Sequence, residues 1–220
     1  APKIDPQNPR AVYFTDTVSV AWVRGGWVLE AWAQDPRQGT QFYTMDQQAS
    51  GPPHFGRQLG CVSCHLTWET AGVPGPFVLT TYPRQTDRDY ANGSTVDHRT
   101  PIADRWGGWY VTGRSGPATH MGNLPLFMPK PGPSSEPLRS TVEGRFDLSG
   151  YPSAHSDIVS LMVLEHQTRM MNLITRAGWE ARVAAMHERV RSGVRERPGV
   201  YRMISPDGEI VYVGKSKKLR

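Results

Sequence analysis

Val18-Ser19-Val20-Ala21-Trp22-Val23, then Arg24-Gly25-Gly26, then Trp27-Val28-Leu29-Glu30-Ala31-Trp32 sets the architecture of the first part of the chain. Two runs rich in β-branched and aromatic residues flank a glycine turn, the pattern of a β hairpin. A third strand is expected over Gln41-Phe42-Tyr43-Thr44-Met45, after the turn signal Asp35-Pro36-Arg37-Gln38-Gly39. Residues 51–150 are punctuated by proline and glycine and carry only short apolar stretches such as Pro76-Phe77-Val78-Leu79-Thr80, so little regular structure is expected there. The densest loop is Pro129 to Pro137. Such a region needs something besides a regular core to order it.

The texture changes at Ser156-Asp157, a helix-cap signal, after which Ile158 to about Ser192 has no proline and many good helix formers. Ile158, Leu161, Met162, Glu165-His166, Met170, Leu173, Ile174, Ala177 and Ala181 form a periodic pattern, read as one long helix or two broken near Gly178. Beyond it, Val200 to Ile204 and Glu209 to Val213, joined by Ser205-Pro206-Asp207-Gly208, read as a second hairpin. The expected class is therefore α+β: N-terminal hairpins, a Pro/Gly-rich middle, a long C-terminal helix and a small hairpin. The expected divisions are 1–155, a helix over 156–193 and a tail over 194–220.

The chain has 220 residues, with 38% apolar, 10% aromatic and 20% charged, so it is neither disordered by composition nor a charged coiled coil. Its formal charge of +5 belongs to the end of the chain, because residues 187–220 hold nine Lys and Arg against four Asp and Glu, and the remainder balances. The longest apolar run, Ile158 to Leu164, falls far short of the roughly 20 residues of a membrane span. The chain opens at Ala1, which points to a removed secretory signal or an internal fragment, and it closes just after a strand-like segment, which points to truncation.

Both cysteines fall in Cys61-Val62-Ser63-Cys64-His65. This is the C-x-x-C-H pattern of c-type haem attachment. Two thiols at this spacing reach the two vinyl groups of one porphyrin, and the adjoining imidazole of His65 is placed to ligate the iron. One covalent haem c would also supply the missing core, with Trp68, Phe77, Trp106, Trp109 and Tyr110 as candidate walls. The alternatives are a zinc site completed by two of His54, His98 and His120, a redox dithiol, and a structural disulfide. For the sixth iron position the candidates are His98, His120, Met121, Met128, His155, Met162, His166 and Met170. Met121, beside its rival His120 in Thr119-His120-Met121-Gly122-Asn123, is preferred because a glycine-containing loop can approach a haem closely.

Asn8 to Phe14, Gln34 to Gly39, Cys61 to His65, Asp97-His98-Arg99-Thr100-Pro101, Arg105 to Gly113, His120 to Asn123 and His155 to Gln167 together resemble an uncharacterised group of bacterial secreted proteins with a single c-type haem motif. The resemblance covers about residues 8–186 and implies haem and export, with no established reaction. A single-electron carrier with a redox partner in the periplasm is the expected function, and an open-site, peroxidase-like haem enzyme is an alternative. Asp97, His98, Arg99 and Arg105 are expected to pair with one another as loop ion pairs, or else with haem propionates.

Pro198-Gly199-Val200-Tyr201-Arg202-Met203, followed by Ile210-Val211-Tyr212-Val213-Gly214-Lys215-Ser216-Lys217, resembles the opening of a GIY-YIG nuclease domain of the kind found in the incision subunit of bacterial nucleotide-excision repair. The resemblance implies roles for Tyr201, Tyr212 and Lys215 in a site where a metal-activated water attacks a phosphodiester. Lys215, Lys217, Lys218 and Arg220 would suit phosphate contacts with DNA. It spans about residues 198–220 and lacks the family's arginine and metal-binding glutamate, so no cutting of DNA is expected. Thioether attachment of haem happens outside the cytoplasm and repair of chromosomal DNA inside it, so the two parts imply different compartments. A join between pieces of two genes is the expected explanation.

Overall fold

The computed structural model describes residues 4, 7–48, 50–81, 93–123, 140–193 and 198–217. Met128, the Pro129 to Pro137 loop, Lys218 and Arg220 lie outside the described residues. The fold is α+β, in two units, Ala1–Arg176 and Ala177–Arg220.

In the first unit the β-rich N-terminal sequence forms an antiparallel meander of five strands: β1 (Ala11–Phe14), β2 (Val18–Trp22), β3 (Val28–Asp35), β4 (Gly39–Asp46) and β5 (Phe55–Arg57). The expected hairpin is β2–β3, with Gly25 at φ +67° in the turn, a conformation that glycine adopts without a Cβ penalty. The β3–β4 turn is closed by Asp35, whose carboxylate accepts the Arg37 and Gln38 N–H groups at 2.8 and 2.7 Å. Those bonds hold the Asp35 carboxyl below its ordinary pKa. β1 and β5 were not expected from the sequence pattern. Both are short strands at the edges of the sheet, where packing against neighbours matters more than an alternating pattern.

Cross-strand register puts Phe14, Ser19, Trp32 and Phe42 in one row on one face of this sheet. Beside that row in sequence, Val12, Ala21, Glu30 and Thr44 form the next. Val12 and Phe14 pack against a buried cluster of Val78, Val96 and Leu164, which brings β6 (Val78–Thr80) and its partner β7 (Ser94–Val96) against the sheet and the helix. Trp109 touches both this cluster and a second one formed by Trp106, Val111, Ile158 and Leu161.

The helix-forming segment is one continuous element, α2 (Ile158–Gly193), with no break at Gly178. Asp157 caps it, accepting the Val159 and Ser160 N–H groups at 2.9 and 3.1 Å. The buried side of α2 differs from the apolar pattern of the sequence. It consists of Ile158, Leu161, Leu164, Glu165, Thr168, Met171, Asn172 and Thr175, whereas Met162, Leu173 and Ile174 are exposed. The spacing of 158, 161, 165, 168, 172 and 175 is a helical stripe, but four of its six members are polar. Each of the four has a partner. Glu165 pairs with Arg105, the Thr168 hydroxyl donates to the Glu165 carbonyl, Asn172 Nδ2 donates to the Pro76 carbonyl at 2.8 Å, and Thr175 accepts from Gln34 Nε2 at 2.7 Å. Among the described residues no helix is long and apolar enough to cross a membrane.

In the second unit, β8 (Gly199–Ile204) and β9 (Ile210–Ser216) form the expected antiparallel hairpin with an irregularity at Met203/Ile204. No described side chain of this unit is buried.

Candidate functional site

A one-turn 3-10 segment, Leu59–Cys61, runs directly into α1 (Val62–His65), so Cys61, Cys64 and His65 lie on consecutive turns of one short helical stretch. Both cysteines are free thiols, so the disulfide is not formed. Burial pushes the Cys61 thiol up, with smaller contributions from Glu30 and Cys64. A thiol kept protonated in this way lacks the depressed pKa of a redox dithiol's attacking cysteine.

The surroundings of His65 fix its ring. One face stacks on Phe77 with centroids 5.0 Å apart, and Phe42 of β4 lies 4.7 Å away. The Nδ1 atom is 3.1 Å from the Gly75 carbonyl oxygen. A carbonyl can only accept, so Nδ1 carries the proton and the lone pair is left on Nε2, the arrangement typical of metal-ligating histidine. Burial also lowers the His65 pKa and favours the neutral ring. In return Gly75 N–H donates to the His65 carbonyl at 2.9 Å, so the Pro74-Gly75-Pro76 segment clasps His65 from both ends. Exposed apolar side chains, Leu59, Val62 and Leu66, flank the two thiols. Two free thiols, a histidine with Nε2 open and an apolar rim fit a c-type haem.

Of the candidate walls, Phe77 touches His65 as described, and Trp106 is buried in the core. Trp109 is fixed by a 2.7 Å bond from its Nε1 to the Leu79 carbonyl. Trp68 is 90% exposed and lines a cavity with Phe77, Asp97 and Asn172.

His120 and Met121 are both buried, in a loop anchored by Met121 N–H donating to the Arg105 carbonyl at 2.8 Å. His120 Nδ1 accepts the Gly122 N–H at 3.0 Å, so a neutral His120 ring has its proton on Nε2, the reverse of His65. Its pKa is lowered by burial. Among the described residues no hydrogen bond, ion pair or ring contact joins His65 to either residue. The other sixth-position candidates are dispersed. His98 and His166 form a ring pair at 4.7 Å, His155 Nδ1 lies 3.1 Å from the Ser140 carbonyl, and Met162 is exposed on α2. No three described His, Cys, Asp or Glu side chains converge as a metal set, so His54, His98 and His120 are not gathered at the cysteines.

The polar residues of the Asp97 to Arg105 string pair within the protein. Arg99 bonds Asp97 through Nε and Nη2, at 2.7 Å for the latter, and holds the Asp97 carboxyl down to about 2. Arg105 makes a buried ion pair with Glu165 at 2.8 Å and also donates to the carbonyls of His98 and Thr100. Burial pushes the Glu165 carboxyl up to about 7, against the opposing pull of Arg105. Trp106, next in the chain, is held at φ +67°, an uncommon conformation for a bulky residue that here leaves its ring in the core beside His120. The periodic helix pattern included Glu165, but its burial as the partner of Arg105 was missed, because the two lie 60 residues apart in the chain. Gly75 and Phe42 were likewise missed, although a glycine between two prolines downstream of the motif is a signal for a fixed carbonyl.

In the second unit, Tyr201 and Tyr212 come together, with ring centroids 5.9 Å apart, over Gly214, where a Cβ would sit 2.4 Å from the Tyr201 ring. Tyr212 raises the Tyr201 pKa by hydrogen bonding and by charge. Lys215 stands opposite Val200, one residue out of step with Tyr201↔Gly214, so strand alternation places it on the other face of the hairpin from the two tyrosines.

Compared with protein families, curated proteins and solved structures, the chain finds no match.

Proposed function

We propose that the first unit is a monohaem c-type protein that carries single electrons between partners in the periplasm. The observation that supports this most is the His65 Nδ1 contact to the Gly75 carbonyl beside two free thiols in C-x-x-C-H spacing. In this reading Cys61 and Cys64 hold the haem by thioethers and His65 Nε2 takes one axial position. On the other side Met121 suits better than His120, whose Nε2 carries the proton while Nδ1 accepts from Gly122. The haem supplies the reversible one-electron chemistry, and axial ligation and burial tune its potential. The chain's own contribution is to hold His65 neutral between Phe42 and Phe77 and to keep its proton on Nδ1.

The test is expression with the cytochrome maturation machinery. Expected are a pyridine haemochrome spectrum and haem that stays on the chain in a denaturing gel, with loss of covalent haem in Cys61→Ala, Cys64→Ala double variants. Folded protein that never acquires haem overturns the reading. Rapid binding of carbon monoxide or cyanide would favour the peroxidase-like alternative over an electron carrier.

A second reading, for the tail, rests on the Tyr201–Tyr212 pair over Gly214: a GIY-YIG-like segment that contacts DNA without cutting it, which would place this part of the chain in the cytoplasm. Salt-sensitive retention on DNA that weakens in Lys215→Ala, Lys217→Ala supports it. No retention at low salt removes it.

A further inference from the structure

Away from the cysteine motif, a cavity of about 550 Å³ runs along the outer edge of β1. That size lies within the range of small-molecule sites. Val12, Phe14, Trp109, Phe146, Tyr151 and Leu164 are among its apolar walls. The aromatic walls are braced by ring contacts: Phe146 lies 4.9 Å from Tyr110 and 5.3 Å from Tyr151, and Tyr151 stands edge-on to Trp22 at 4.7 Å. The Trp109 N–H is committed to the Leu79 carbonyl, so what that residue offers the cavity is apolar.

Polar side chains also line the cavity, and most are engaged by the protein: Arg10 pairs with Glu30, Ser153 accepts the His155 N–H, Ser156 donates to the Tyr110 carbonyl and Asp157 caps α2. His155 reaches it with Nδ1 engaged by the Ser140 carbonyl, so its Nε2 lone pair is an open acceptor. Tyr13 lines it too, its hydroxyl pKa raised by burial against a hydrogen bond from the Ser153 main chain. The outer edge of an edge strand could in principle take an added peptide strand. Here the segment after Gly150 crosses that edge, with Tyr151 Oη donating to the Pro9 carbonyl at 2.7 Å and Ser153 beside Tyr13. Those ties leave room for a compact molecule and block a continuous strand.

We propose that this cavity binds a small aromatic molecule of two or three fused rings bearing a hydroxyl group, which stacks among the aromatic walls and donates its hydrogen bond to His155 Nε2. Trp109 and Tyr110, two of the candidate haem walls, line the cavity, but none of Cys61, Cys64 and His65 does, so it is a separate space from the thioether motif.

Equilibrium dialysis of the full chain with 1-naphthol, and with naphthalene as the analogue lacking the hydroxyl, tests it without any haem signal. Expected is one naphthol per chain, bound about fivefold more tightly than naphthalene, the worth of one hydrogen bond. His155→Ala removes that preference. Val163→Trp narrows the mouth from an exposed helix position and weakens both ligands at least tenfold; Ser160→Trp, also exposed at the mouth, carries the same test should Val163→Trp fail to fold. Absence of naphthol binding to the folded wild-type chain overturns the proposal. So does equal binding to the wild-type and tryptophan variants, or a naphthol preference that survives His155→Ala.

Discussion

The Nδ1 atom of His65 lies 3.1 Å from the carbonyl oxygen of Gly75, and this contact gives the residue after Cys64 an imidazole with one defined open nitrogen. His120 has the opposite polarity, its Nδ1 accepting from Gly122. Two histidines that look interchangeable in sequence therefore offer different atoms, because the backbone group facing each Nδ1 is an acceptor in one case and a donor in the other.

Gly75 has no room for a side chain. A Cβ there would stand 1.9 Å from Asn172 Oδ1, so Gly75→Ala must displace either Asn172 or the clasp on His65. The expected cost is about 1–3 kcal/mol in urea unfolding. Asn172→Ala alone should cost about 1 kcal/mol through its lost bond to Pro76. The double variant should be clearly more stable than the sum of the singles implies; strict additivity would show that the two residues do not collide.

Glu165 should make stability fall as pH rises. Its folded carboxyl titrates at about 7 against an ordinary 4.5, so between these values the folded state binds the proton that the unfolded state has released. The contribution is present below about 4.5 and lost by about 7, with an upper bound of roughly 3 kcal/mol. His65 and His120, whose pKa values are lowered, act in the opposite sense below their ordinary 6.5, so the comparison of wild type with Glu165→Gln isolates the carboxyl. Identical pH profiles of unfolding free energy in the two proteins would refute the shift.

Arg105→Met removes the cation from the buried pair. With the opposing pull of Arg105 gone the Glu165 carboxyl is pushed further up, so at pH 8 the variant must either keep a proton there or bury an unpaired charge, at a cost of up to about 3–5 kcal/mol. At pH 5 Glu165 carries its proton and the cost should be smaller. Chemical denaturation at the two pH values measures the difference, and a cost independent of pH would mean that packing of the arginine stem, not its charge, matters.

The β8–β9 hairpin has apolar side chains such as Val200, Met203, Val211 and Val213 exposed on both faces. A lone two-stranded hairpin is marginal in water. A synthetic peptide of residues 198–217 should therefore give a coil-like circular dichroism spectrum, and a strong β signal from the monomeric peptide would contradict this.

Much of the architecture was legible because short-range signals carried it. The Arg24-Gly25-Gly26 turn, the Asp35 turn and the Asp157 cap are each closed by groups within a few residues, and each forms where the pattern placed it. The helix phase was not legible in the same way. A rule that puts apolar residues inside chose Met162 and Ile174, but Glu165, Thr168, Asn172 and Thr175 face inward because Arg105, Pro76 and Gln34, far away in sequence, satisfy them. At the candidate site the cysteines, His65 and Phe77 were read directly, while Phe42 and Gly75 became visible as its setting only through contacts.

By itself, then, the chain's sequence determined where strands, turns and the helix form and which thiols and imidazole share one short helical stretch, since these depend on neighbours within a few residues. Only the tertiary structure decided which face of the helix is buried, which nitrogen of each histidine is open and that Glu165 is held near neutrality. Those properties depend on the electric field and the hydrogen-bond partners supplied by segments many residues away, and burial multiplies the effect of both.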